Sequence, residues 1–194
     1  QTCALPIYVD GNGASGVYNN TYYANGLKAT GSANNVQYVD GDLAQGLFGG
    51  FYYVNGVYGT GFSNNIYYVD GSFANGVYSD VYYINGIPTG TGLVNGIYYE
   101  NGNPANGVYN GVYYQSGTSA TGTLNGVYYV SGDPANGVYD GHFYSSGIAN
   151  GTGTVNGVKY ISGDPANGTY DGVYYKSGVP FTGVEDNILW TDGS

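Results

Sequence analysis

The chain has 194 residues, 37 of them glycine and 26 tyrosine, and a formal charge of −10 from 13 acidic and 3 basic side chains. Charged residues make up only 8%, against roughly 25% in an ordinary soluble domain. Lys28, Lys159 and Lys176 are too few and too scattered to neutralise phosphates, so no nucleic-acid partner is expected, and no apolar run approaches the ~20 residues of a membrane span, so no membrane insertion is expected.

In chain order, residues 1–7 read Gln-Thr-Cys-Ala-Leu-Pro-Ile. This stretch resembles the translation of a short-read sequencing adapter. On that resemblance 1–7 is a non-native segment, Cys3 is foreign, and the biological chain starts near Tyr8. With one cysteine at most, neither a disulfide framework nor a zinc site forms within the chain.

From there the sequence repeats itself, so that residues 8–194 read as a single repeat array. The unit Val-Tyr-Tyr-Val-x-Gly-x-x-Ala-Asn-Gly-Val-Tyr-x-Gly spans 15 residues, as at 21–35, 36–50, 51–65, 66–80, 97–111, 112–126, 127–141 and 158–172. It lengthens to 16 at 81–96 and 142–157, and about twelve copies are present before a further one starts at Ile188. Alternate copies match best (compare 127–141 with 158–172), so the repeat is a pair of about 30 residues.

Val127-Tyr128-Tyr129-Val130 predicts a short strand of β-branched and aromatic residues. Asn-Gly at 110–111, 125–126 and 156–157, and Asp-Gly at 140–141 and 171–172, suit type I′ hairpin turns, whose two central residues need positive φ. The other connection, 131–137, contains Pro134 and predicts a wider loop. That gives two strands per unit, roughly two dozen in all, with no segment of helical period. Tyr128 and Val130 point to one face and Val127 and Tyr129 to the other, so both faces are apolar and expected to be covered. An open sheet rarely exceeds ~10 strands, so the ribbon must coil, fold back or pack on other copies. The predicted fold is all-β, with tandem hairpin repeats forming an elongated twisted antiparallel meander or a β-solenoid.

Tyr98-Tyr-Glu-Asn-Gly102, Gly107-Val-Tyr-Asn-Gly111 and Tyr113-Tyr-Gln-Ser-Gly117 resemble the MORN-variant repeats of bacterial proteins: a tyrosine pair, an Asn-Gly turn and a Gly-x-Tyr return strand. The resemblance covers nearly the whole chain and implies meandering hairpin sheets that act as scaffolds or interaction surfaces. More loosely, the chain is similar to the Tyr/Gly/Asn-rich repeats of bacterial surface and filament proteins.

No catalytic, cofactor-binding or metal-binding residue is expected. His142, the one histidine, fills a strand place that most copies give to Val. Asp133, Asp140, Asp164 and Asp171 read as turn residues rather than paired catalytic carboxylates. Asp40-Gly-Asp42 lacks the spacing of a calcium loop. Asn19, Asn150 and Asn167 head glycosylation sequons. Position two of the unit holds Tyr22, Tyr52, Tyr67, Tyr82, Tyr98, Tyr113, Tyr128 and Tyr174. With strands ~4.8 Å apart, these are expected to form ladders, for assembly or for contact with glycans.

The function expected from the sequence is that of a structural subunit of an extracellular fibre, filament or surface appendage, with other copies of itself as partners through strand edges and tyrosine-rich faces. The alternative is a glycan-binding adhesion module of a larger cell-surface protein. Repeats built on turn chemistry give no unique constellation for an enzyme.

Overall fold

The computed structural model describes residues 6–194. The chain divides into two compact units, one holding the chain up to Val94 together with Tyr99–Asn103, the other Asn95–Tyr98 with Pro104–Ser194. Both are all-β and reuse one small antiparallel sheet, which recurs about every 15 residues. Thirteen such sheets, nine of three strands and four of two, are present among the described residues, and no closed solenoid is found.

One sheet of the second unit shows the design. Gly122–Leu124, Val127–Val130 and Asp133–Pro134 pair antiparallel, with Thr123 opposite Tyr128, and Tyr129 opposite both Gly122 and Pro134. The first connection is Asn125-Gly126, with φ of 50° and 80°. The second is Ser131-Gly132, with φ of 52° and 93°. Both are therefore two-residue turns with positive φ at each central position, the type I′ signature. The wider loop expected at 131–137 is absent: Ser131-Gly132 turns tightly and Asp133–Pro134 is a third strand. Pro134 fits there because a two-residue edge strand can spare its amide. Each regular unit thus carries three strands, not two.

The 16-residue copies show how an insertion is absorbed. In 81–96 and 142–157 the third strand shrinks to a single bridge, Ile84 to Ile87 and Ser145 to Ile148. The added residue is taken up just beyond, where the Thr89 and Asn150 amides bond back to the Ile87 and Ile148 carbonyls at 2.9 Å.

Successive sheets are joined by a closed cycle of three backbone hydrogen bonds. The Tyr113 N–H donates to the Gly132 carbonyl (2.8 Å), the Gly132 N–H to the Ala120 carbonyl (2.8 Å), and the Ala120 N–H to the Tyr113 carbonyl (2.9 Å). The first unit repeats this with Gln37, Gly56 and Ala44 at 2.7, 2.8 and 2.9 Å. The backbone of Ile7 enters the same register: its amide bonds the Gly26 carbonyl, and its carbonyl accepts from Ala14. Gln1–Leu5 of the adapter-like segment, with Cys3, lie outside the described residues.

The cycle leaves no room for a side chain at its glycine. A Cβ on Gly132 would lie 2.6 Å from Val112 Cγ1 and 2.9 Å from Ser119 Cβ, whereas one on Gly126 would meet nothing within 4 Å. In alternate cycles the alanine is buried too: Ala135, in the cycle of Gly147, is 2% exposed, whereas Ala120, in that of Gly132, is half-buried. Among the described residues the buried apolar set consists of eight tyrosines and six alanines, with no large side chain fully enclosed. The core is therefore one ring thick, and the strands are not covered on both faces as expected. Phe62, Leu93, Val184 and Leu189 remain exposed.

A second lock uses the residue after that alanine. Its side-chain oxygen accepts the amide hydrogen ten residues on, as in Ser131 N–H to Thr121 Oγ1 (2.8 Å), Ser146 N–H to Asn136 Oδ1 (2.8 Å) and Asn55 N–H to Gln45 Oε1 (2.9 Å). The amide served opens the second turn, whose positive φ keeps it out of the sheet ladder. Thr121→Val keeps shape and removes the acceptor. It is expected to lower stability by ~1 kcal/mol, measured by urea unfolding; an unchanged midpoint would show that the bond contributes nothing.

Candidate functional site

The aromatic rings are the one feature carrying chemistry along the whole array. They do not stack in same-position ladders. Instead, a ring at position two packs on the position-three ring of the following sheet, because each sheet is offset by the backbone cycle. Tyr22 stacks on Tyr38 (5.6 Å between centroids), Tyr52 on Tyr68 (5.3 Å), and Tyr98 on Tyr114 (4.8 Å, planes within 18°). Tyr82 meets Tyr99 edge-on at 5.8 Å, Tyr113 lies 5.3 Å from Tyr129, and Tyr174 stacks on Trp190 at 4.9 Å.

Alternate units differ. Tyr67, Tyr98 and Tyr128 each gain a third ring from the following Gly-x-Tyr strand: Tyr78 (6.0 Å), Tyr109 (5.4 Å) and Tyr139 (6.0 Å). In the units between, that strand ends instead in Ala33, Ser63, Val94 or Leu124, which bring no ring. The pairing of units seen in the sequence is thus an alternation between ring pairs and ring triads. Most position-two rings are half-buried and Tyr113 is buried at 6% exposure, so they share their faces with neighbours rather than offer them whole to a ligand.

Polar candidates sit on the surface. His142 Nδ1 lies 2.8 Å from Asp164 Oδ1, with both side chains exposed. Asp140 and Asp171 open tight turns, with φ of 49° and 51°. Asp133 and Asp164, expected at turns, lie in two-residue strands instead. Asp40 accepts from the Thr30 hydroxyl (3.3 Å) and Asp42 pairs with Lys28 (3.4 Å). No cluster of three or more His, Cys, Asp or Glu able to hold a metal occurs among the described residues. Asn19 opens a turn at φ 48°, and Asn150 is exposed. Asn167 has a structural part: Oδ1 accepts from Ser177 N–H (2.9 Å) and Nδ2 donates to the Pro165 carbonyl (3.1 Å).

Two lysines lie over aromatic rings. Lys159 stands at position two, 5.7 Å from the Tyr175 ring centroid, and donates to Asp171 at 2.7 Å. That bond lifts the Lys159 ammonium above its ordinary value against opposing desolvation, and lowers the Asp171 carboxyl. Lys176 lies over Phe181 (4.8 Å) and donates to Glu185 (2.8 Å).

The twelve-fold side-chain lock and the parity of the rings were missed in the sequence. The first had a readable signal: the place after the Ala/Gly of each unit (Phe181 in the last) holds Ser15, Thr30, Gln45, Thr60, Asn75 and so on, never a residue without a side-chain oxygen. Compared with protein families, with curated proteins and with solved structures, the chain matches none.

Proposed function

We propose that the array is a structural subunit of an extracellular fibre or surface appendage, built by addition of like copies. The observation that carries this reading is the three-bond backbone cycle. Its donors and acceptors are main-chain groups found in every unit, so a sheet of another copy offers the same partners as the next sheet of the same chain. A contact of this heterologous kind propagates unless it closes, and unpaired strand edges favour it. Exposed apolar residues such as Phe62 and Leu93 add lateral contact area. The low lysine content and the MORN-variant resemblance fit a scaffold without catalytic chemistry, and the Tyr/Gly/Asn-rich composition fits the cell surface.

Negative-stain electron microscopy of the purified chain at neutral pH tests this. Fibres of constant width, lengthening with protein concentration, are expected. Monomers that persist at high concentration in sedimentation runs would overturn the reading.

A further inference from the structure

One sheet of the first compact unit breaks the ring pattern. Gln37 stands at position two, where Tyr67 stands one repeat pair later. Tyr67 packs on Phe62 across its strand pair (4.8 Å) and on Tyr83 of the next sheet (4.9 Å). At the earlier place both rings are gone: Ser32 faces Gln37 across the pair, and no ring of that sheet covers Tyr53. The result is a groove of about 590 Å³ lined by Ser32, Asn34, Asn35, Gln37, Tyr53 and Tyr58, with Gly56 and Val57 completing it. That volume lies within the roughly 300–1,000 Å³ of small-molecule sites.

The lining has a definite chemistry. Tyr53 and Tyr58 form an aromatic wall, 5.2 Å apart and inclined by 33°. Three carboxamides and one hydroxyl face it, and no charged side chain takes part. The Gln37 amide is held in place: it accepts from Ser32 Oγ at 2.6 Å and donates to the Tyr38 carbonyl at 3.1 Å. One amide hydrogen and one lone pair remain free on it. Burial, with the Tyr58 phenol alongside, pushes the Tyr53 phenol above its ordinary value. Aromatic faces beside uncharged donors and acceptors match a ligand with a C–H face and a rim of hydroxyls.

We propose that this groove binds a neutral saccharide, one sugar face against the exposed ring of Tyr58, with buried Tyr53 beside it, and its hydroxyls on Gln37, Asn34 and Asn35. An anionic sugar finds no cation in the lining, and an apolar ligand leaves the carboxamides unpaired. The site does not depend on fibre formation, so either reading can fail alone.

The test titrates the full chain with cellotriose, maltotriose and tri-N-acetylchitotriose, with trigalacturonate as the charged comparison, following Tyr53 and Tyr58 ring protons by NMR. At least one neutral trisaccharide is expected to saturate. Gln37→Tyr restores the ring that other copies carry and fills the groove; Tyr58→Ser installs the residue found at position 119, the matching place in another sheet. Each is expected to weaken binding by at least about tenfold with the unfolding midpoint of Gln37→Tyr maintained. Failure of all three neutral sugars to saturate would overturn the proposal, as would equal binding of trigalacturonate or wild-type affinity in Gln37→Tyr.

Discussion

Gly132→Ala is expected to destabilise the protein far more than Gly126→Ala, although both glycines end type I′ turns of one sheet and both have positive φ, 93° and 80°. The shared cost of placing an L side chain in that region is ~1–2 kcal/mol. Only Gly132 adds a steric cost. Its Cβ would sit 2.6 Å from Val112 Cγ1, well inside the ~3.5–4.0 Å of a carbon–carbon contact, and relieving it stretches the cycle that joins two sheets. Overpacking of this kind adds ~1–3 kcal/mol. Paired urea melts measure the difference. Equal losses in the two variants would mean that the second turn is not packed against the preceding sheet.

The second large effect is expected at Tyr129→Ala. Tyr129 is 7% exposed and receives the Tyr113 ring at 5.3 Å. In a core one ring thick no second layer can collapse into the vacated space, so the loss is ~3 kcal/mol or more. Leu93→Ala, at a side chain 65% exposed, is the comparison and should change stability by less than ~0.5 kcal/mol. A loss at Tyr129 no larger than at Leu93 would show that the rings do not form the core.

Much of this fold was legible in the residues, and the parts that were not share a cause. The strand Val127–Val130 and the Asn125-Gly126 turn follow from side-chain shape and from tolerance of positive φ, both local properties. The third strand was hidden because Asp133-Pro134 carries loop residues by propensity, and what makes it a strand is the tight Ser131-Gly132 turn before it. A signal did exist. The first turn tolerates Asn20, Asn35, Asn65, Asp80 and Asn187 in its second place, while the second turn ends in glycine in every copy from Gly11 to Gly193. Asparagine enters the same left-handed region, at 62–63° against 78–93° for these glycines, so strict glycine marks a steric limit as well as a conformational one.

Ring contacts were legible as to residue type but not as to partner. Strand spacing alone sets Tyr52 beside Tyr67, yet the backbone cycle shifts each sheet so that Tyr52 meets Tyr68 and Tyr67 meets Tyr83. That offset depends on hydrogen bonds between units, which no single unit encodes. The groove at Gln37 lies beyond reach for the same reason. A glutamine among tyrosines reads as drift until the groove beside Tyr58, which is left exposed, is seen.

Amide hydrogen exchange, resolved by residue, tests the sheet-to-sheet cycle most directly. The Gly132 and Ala120 amides, held at 2.8 and 2.9 Å by carbonyls of the cycle, are expected to exchange slowly, on the scale of cooperative opening. The Gly126 amide, which makes none of these bonds, should exchange at least about tenfold faster, as a locally opening turn does. Equal exchange at Gly126 and Gly132 would contradict the cycle, and with it the view that each sheet is locked to the next through its backbone.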